Sequence, residues 1–214
     1  MKTCHIVGAG DFFPERFAPE AGDYIIAADA GWRHLEALGV RPNLAIGDFD
    51  SLGAPPRHPN VEVCPVRKDD TDSLVAVRRA LDAGFDRLLL HGCVGGRLDH
   101  TLANLQTLVF AAGRGAAAYL IGGDFTATAL QGGTLRFEGC VGGFSVFCAG
   151  GSAEGVFERG SKYTLDNATL TCDYPVGVSN EFGDAATEIS VAQGTLTVMW
   201  QDTGKPYLPL RRGI

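Results

Sequence analysis

The segment Gly47-Asp48-Phe49-Asp50-Ser51 puts two carboxylates two residues apart just after an apolar run. If the chain stays extended there, both point to one side. Two such charges ~5 Å apart, at an effective dielectric of about 20, repel by roughly 3 kcal/mol, so a partner must offset them. Mg²⁺ suits the role, because it is held by one or two carboxylates together with substrate phosphates. The alternative is a solvated turn, since Asp and Ser are turn formers. A second acidic stretch, Lys68-Asp69-Asp70-Thr71-Asp72, opens a helical pattern. Asp70 or Thr71 can cap that helix and Asp72 suits its dipole. Lys68 can meet a phosphate, and Asp72 can complete a metal site or take the proton of an attacking hydroxyl. A third, Gly95-Gly96-Arg97-Leu98-Asp99-His100, offers free backbone N–H groups and a guanidinium fork for an anion. Asp99 can equally be a helix cap; His100 and Asn104, four residues apart, lie on the face opposite the apolar stripe, and His100 reads as a surface or hydrogen-bonded residue with a supporting role only. Asp29 stands at the centre of a fourth, AADAG (Ala27–Gly31).

These residues need a scaffold that gathers them. Short apolar runs at His5–Val7, Tyr24–Ala28, Leu44–Ile46, Val61–Val66, Leu88–Leu90 and Ala117–Ile121 read as strands. Leu74, Val77 and Leu81 predict one helix between them, stopped by Gly84. Leu98, Leu102, Leu105, Val109 and Ala112 predict the apolar stripe of a second, ended by Gly113. Strands linked by crossover helices make a parallel sheet, whose ligand crevice lies at the strands' carboxyl ends. All four acidic motifs follow strands, so they share one rim. After about Ile121 the pattern becomes short alternating strands broken by Gly, Asn and Asp. The expected fold is α/β: a Rossmann-like parallel sheet over 1–125, then an antiparallel β-sandwich over 126–214, with Trp200 in the β core.

Composition narrows the function. A net charge of −7 without a basic block argues against nucleic acid, though not against nucleotides, which metal and backbone N–H groups can carry. No apolar run approaches the ~20 residues of a membrane span, and the apolar stretch after Met1 is too short for a signal-peptide core. Six scattered cysteines without a C-x-x-C pair fit reduced thiols and a cytoplasmic protein. The 29 glycines, roughly twice the typical share of about 7%, promise tight turns and close backbone approaches. Gly8-Ala9-Gly10-Asp11 is only half a dinucleotide fingerprint, and no P-loop is present.

Taken in order, ADAG, PNLAIGDFDS (Pro42–Ser51), DDTD, GGRLDHTLAN (Gly95–Asn104) and GVSNEF (Gly177–Phe182), with KYTLDNATL upstream of the last, resemble the motifs of the thiamine pyrophosphokinase family. The resemblance runs from about residue 27 to the end. It implies transfer of the pyrophosphoryl group of ATP to the hydroxyl of thiamine, giving thiamine diphosphate and AMP. By the same resemblance Asp48, Asp50 and Asp72 match the metal and phosphate cluster, and Asp29, Asp69, Thr71, Arg97 and Asp99 line the nucleotide side. Lys68 joins that side by its own chemistry and Asn104 by closing its motif. Either Asp72 or Asp99 orients the thiamine hydroxyl. Ser179 and Asn180 match the thiamine position, and a homodimer with a composite cleft is implied. Ala30 stands where the family commonly has glycine. Other metal-dependent pyrophosphokinases, nucleotide-using transferases and a nucleotide-binding sensor are the alternatives.

Overall fold

A computed structural model describes residues 1–65 and 69–213. The chain divides into two compact units, one running Met1–Gly123 and the other starting at Asp124.

The first unit contains β1 (Thr3–Val7), β2 (Tyr24–Ala28), α1 (Gly31–Ala37), β3 (Leu44–Gly47), β4 (Val61–Val63), α2 (Asp72–Asp82), β5 (Arg87–His91), α3 (Leu98–Ala112) and β6 (Ala117–Ile121). The strands pair in the order β6-β5-β1-β2-β3-β4, every pair parallel. Continuous apolar runs form them because a parallel sheet is covered on both faces. Ile6, Ile26, Leu88, Leu90 and Leu120 are accordingly buried. The strand order reverses direction between β1 and β5, which makes the carboxyl ends there a natural ligand crevice. A Cβ on Gly31 would lie 1.9 Å from the Val7 carbonyl oxygen, so only glycine lets α1 start against the end of β1. Ala30 has φ −67°, which alanine adopts without strain.

The expected stripe of α3 is not its buried face. Leu98 and Leu102 are 74% and 55% exposed, whereas Asn104, Thr107, Leu108 and Ala111 face inward. The large leucines suggested the wrong side; the helix instead turns smaller residues to the sheet, and β6 is the strand it packs on. Polar inward residues are tolerated because each is bonded: the Thr107 hydroxyl donates to the Ala103 carbonyl at 2.9 Å, and Asn104 Nδ2 to that of Cys93 at 2.7 Å. Asn104 is therefore inside, not opposite the core, while His100 is exposed.

Two buried histidines join β1 to β5. His5 Nδ1 lies 3.1 Å from His91 Nε2, and His5 Nε2 lies 3.1 Å from Asp23 Oδ2. Neutral rings satisfy both contacts with one proton each; a second proton on His5 would set N–H against N–H. Burial pushes both histidines below their ordinary range, His91 the further because His5 and Arg16 add positive charge, while Asp23 partly restores His5. A folded value below the unfolded one of about 6.5 means the unfolded chain binds more protons in acid. Stability is thus fully present above pH ~6.5 and is lost as pH falls through the depressed folded values. Between pH 6.5 and 5 the parent's urea midpoint should fall relative to that of His91→Phe, a comparison in which groups common to both proteins, such as the raised Glu158 carboxyl, cancel. An equal fall in the two proteins would assign it to other groups.

The second unit is built on two long antiparallel strands, β7 (Phe125–Phe137) and β12 (Thr187–Gln201), paired from Thr187 opposite Phe137 to Gln201 opposite Phe125. The first half of β12 also pairs with β9 (Ser152–Arg159), and the second half with β8 (Gly143–Cys148). On the flanks, β10 (Leu165–Thr171) adds to β9, β11 (Asn180–Glu181) to β8, and β13 (Leu210–Arg212) to β7. The register breaks between Val191 and Thr195, where Gly194 has φ 86° and a Cβ would meet the Ser152 carbonyl at 2.4 Å. That bulge bends β12 so that its two halves serve different neighbours.

Candidate active site

The carboxylates of Asp29, Asp48 and Asp50 each bring an oxygen within 4.8 Å of the others. Asp29 leaves the end of β2 with φ 47°, and its N–H donates to the Ile46 carbonyl at 2.8 Å, which ties β2 to β3. The extended path expected through Asp48–Asp50 does not persist. Phe49 is left-handed, at φ 58°, and its ring is buried in the cluster formed by Val7, Phe17, Ile25, Ala27, Leu35 and Ala45. A bulky residue in that region is strained, and core burial of the ring offsets the strain. With Phe49 turned inward, Asp48 and Asp50 are left at the surface, half-buried and exposed respectively. The Asp50 N–H donates to Asp48 Oδ1 at 3.2 Å and the Ser51 hydroxyl to Asp50 Oδ1 at 3.1 Å. Asp29 Oδ1 is buried and has no hydrogen-bond partner among the described residues. Three hard oxygen donors, one of them buried and unsatisfied, suit a divalent cation such as Mg²⁺.

Asp72 does not belong to that trio. It is the first residue of α2, half-buried, behind Thr71, whose hydroxyl caps the helix by accepting from the Leu74 N–H at 3.2 Å. Asp70 does not cap; it pairs with Arg78. Asp69 is exposed, and Lys68 lies outside the described residues. Arg97, not Asp99, occupies the cap position of α3. The two form an ion pair, Nε to Oδ1 3.1 Å, with side chains 71% and 63% exposed. That guanidinium holds the Asp99 carboxyl below its usual range. Asn104 reaches back to the Cys93 carbonyl and fixes the turn through Gly95 and Gly96. The glycines of the GAGD segment serve this turn too: Gly10 N donates to the Gly92 carbonyl at 2.7 Å and Asp11 N to that of Val94 at 2.8 Å. Sequence reasoning gave Asp11 no role, although its carboxylate fills the space a Gly95 Cβ would need.

The second unit holds a cavity of about 610 Å³ walled by Phe125, Phe144, Phe182, Met199 and Trp200, with Ser145, Ser179, Asn180, Glu181 and Gln201 at its polar edge. Ser179 is exposed with φ 61°, and its N–H donates to Ser145 Oγ at 3.1 Å. Asn180 is buried, and all its amide groups are engaged: Nδ2 donates to Glu158 and to the Tyr163 carbonyl, and Oδ1 accepts from the N–H groups of Tyr163 and Glu181. Trp200 is 2% exposed, meets Phe137 edge-on at 5.2 Å, and still forms part of the cavity wall.

Residues 18–120 match the family model for the catalytic domain of thiamin pyrophosphokinase, and residues 138–196 match that for its vitamin B1 binding domain. Over 120 residues the chain is 35% identical to the thiamine pyrophosphokinase of Bacillus subtilis (strain 168), an alignment covering 50% of this chain and 55% of that protein. The chain thus spans about half the length of that curated relative. The crystal structure of thiamine pyrophosphokinase from Bacillus subtilis superposes with a TM-score of 0.84 at 26% identity, over 94% of this chain and 99% of that one. That of thiamin pyrophosphokinase from Geobacillus thermodenitrificans gives 0.80 at 27% identity, over 94% and 97%.

Proposed function

The chain belongs to the thiamin pyrophosphokinase family, and from that premise we propose that it transfers the pyrophosphoryl group of ATP to the hydroxyl of thiamine, releasing AMP. The observation that carries this reading is the meeting of Asp29, Asp48 and Asp50, from two strand ends, around a buried carboxyl oxygen with no partner among the described residues.

Transfers of this type depend on positioning and charge compensation far more than on covalent work by the protein. Asp29, Asp48 and Asp50 would hold Mg²⁺, which when bound offsets charge on the phosphate oxygens. Asp72 adds a carboxylate from the start of α2, and Asp72 or Asp99 receives and orients the attacking hydroxyl. Arg97, whose Nε and one terminal nitrogen are engaged by Asp99, would offer its remaining guanidinium N–H groups to phosphate oxygens, with Lys68, Asp69 and Thr71 assigned to the same nucleotide side. Asn104 acts there by shaping the glycine turn it grips. Ser179 and Asn180 edge the aromatic cavity, which suits the rings of thiamine.

In this reading the N-terminal unit, Rossmann-like and expected over 1–125, takes ATP and Mg²⁺, and the C-terminal unit, a sandwich expected over 126–214, takes thiamine. The all-parallel strand order supports the first label, and the division of β12 between β8 and β9 the second. A homodimer with a composite cleft follows from the family resemblance. A cytoplasmic location is supported by six cysteines all present as free thiols; no helix among the described residues is long and apolar enough to cross a membrane.

Product analysis tests the activity. With ATP and Mg²⁺, AMP and thiamine diphosphate should appear together, and only when thiamine is added. ADP as the product, or AMP formed without thiamine, would overturn the assignment.

A further inference from the structure

Glu158 lies on β9, 2% exposed, directly behind Asn180. Its Oε2 accepts from Asn180 Nδ2, while its Oε1 is buried with no hydrogen-bond partner among the described residues. A buried carboxyl left half-satisfied is costly, and a purely structural acceptor for Asn180 needs no charge. The ionisable groups around it are engaged elsewhere. On β12, Glu188 pairs with Arg136 at 2.7 Å; on β11, Glu181 pairs with Lys162 at 2.6 Å. Arg159 stacks over Phe157 at 4.4 Å, Asp166 on β10 is exposed, and Tyr163 meets Asn180 through its backbone. No cation among the described residues pairs with Glu158.

Ser179 and Asn180 border both the large aromatic cavity and a smaller one of about 140 Å³ that Glu158 and Tyr163 line. The amide of Asn180 is fully committed, so it cannot take up a ligand without breaking a bond it already makes. Its place is to transmit. We infer that Glu158 is a positioning residue for the large cavity, holding the Ser179–Asn180 edge in place through Asn180, and that its charge behind that edge favours the permanent positive charge of thiamine. This rests on the reading of thiamine as substrate. The aromatic walls agree with it, since π faces also attract a cation.

Burial pushes the Glu158 carboxyl up to about 7, with the Asn180 hydrogen bond opposing. Its charge therefore changes across neutral pH. The ionised form favours a cation nearby, and the cation in turn favours ionisation, so thiamine affinity should rise as pH increases through 7.

Glu158→Gln tests this, because it keeps the shape and the acceptor for Asn180 and removes the charge. An opposite charge nearby moves a carboxyl by ~1–3 pH units, and linkage returns the same factor in affinity. At pH 8 the variant should show a thiamine KM raised about tenfold, with kcat and the ATP KM within about twofold of the parent. Between pH 6 and 8 the parent's kcat/KM for thiamine should climb more steeply than the variant's. A variant with the parent's thiamine KM and pH profile would overturn the inference. So would equal losses in kcat and both KM values, or failure to fold, since either would make the role structural. A parent that forms no AMP with thiamine defeats the functional reading itself; an active parent matched by its variant defeats only this one.

Discussion

Asp50→Asn is expected to slow AMP formation at least ~10²-fold while leaving the fold intact. Each 1.36 kcal/mol of barrier is tenfold in rate, and metal electrostatics at a phosphoryl centre supply several kcal/mol. Asp50 is exposed, and among the described residues its side chain hydrogen-bonds the adjacent Ser51 hydroxyl, so the exchange removes a charge and little packing. It also relieves part of the repulsion within the trio. The melting temperature without Mg²⁺ should therefore be unchanged or slightly higher. With Mg²⁺ the parent should gain stability, because a ligand bound by the folded state alone stabilises it, and the variant should gain less. Asp48→Asn should behave alike. Near-normal turnover in either variant would remove these carboxylates from the metal site.

The second large effect is on stability. Trp200→Ala is expected to cost ~3–5 kcal/mol, the usual range for deleting a buried aromatic ring. Trp200 is buried against Phe137, and the ring it would lose is also cavity wall. A domain typically has only about 5–15 kcal/mol of stability in hand, so urea unfolding of the second unit should move to much lower concentration. Trp200→Phe should recover much of the loss. A midpoint for Trp200→Ala close to the parent's would mean that the tryptophan packs less tightly than its burial implies.

The parallel strands were legible because a strand buried on both faces is one unbroken apolar run: β2 and β6 begin and end where their runs do. α3 was legible as a helix but not in its orientation, because Asn104 and Thr107 can face inward only when carbonyl partners await them, and a sequence does not display those. The segments around Gly133 and Gly194 suggested short strands; β7 and β12 instead run on through them, since a bulge absorbs what looks like a break. At the site, Asp48 and Asp50 are visible as a pair within one loop. Asp29 joins them only once β2 and β3 are known to be neighbours. Glu158 carried one missed signal: it is in phase with Val156 on the buried face of β9.

Phe49 has a consequence for how the acidic loop would meet the proposed cation. The ring's anchorage in the interior sets where the backbone of the two flanking aspartates stands, so no cation is needed to bring them together. Under the proposed metal reading the donor positions would be preorganised, the electrostatic cost of gathering them would be met when the protein folds, and little ordering entropy would be charged against ion capture.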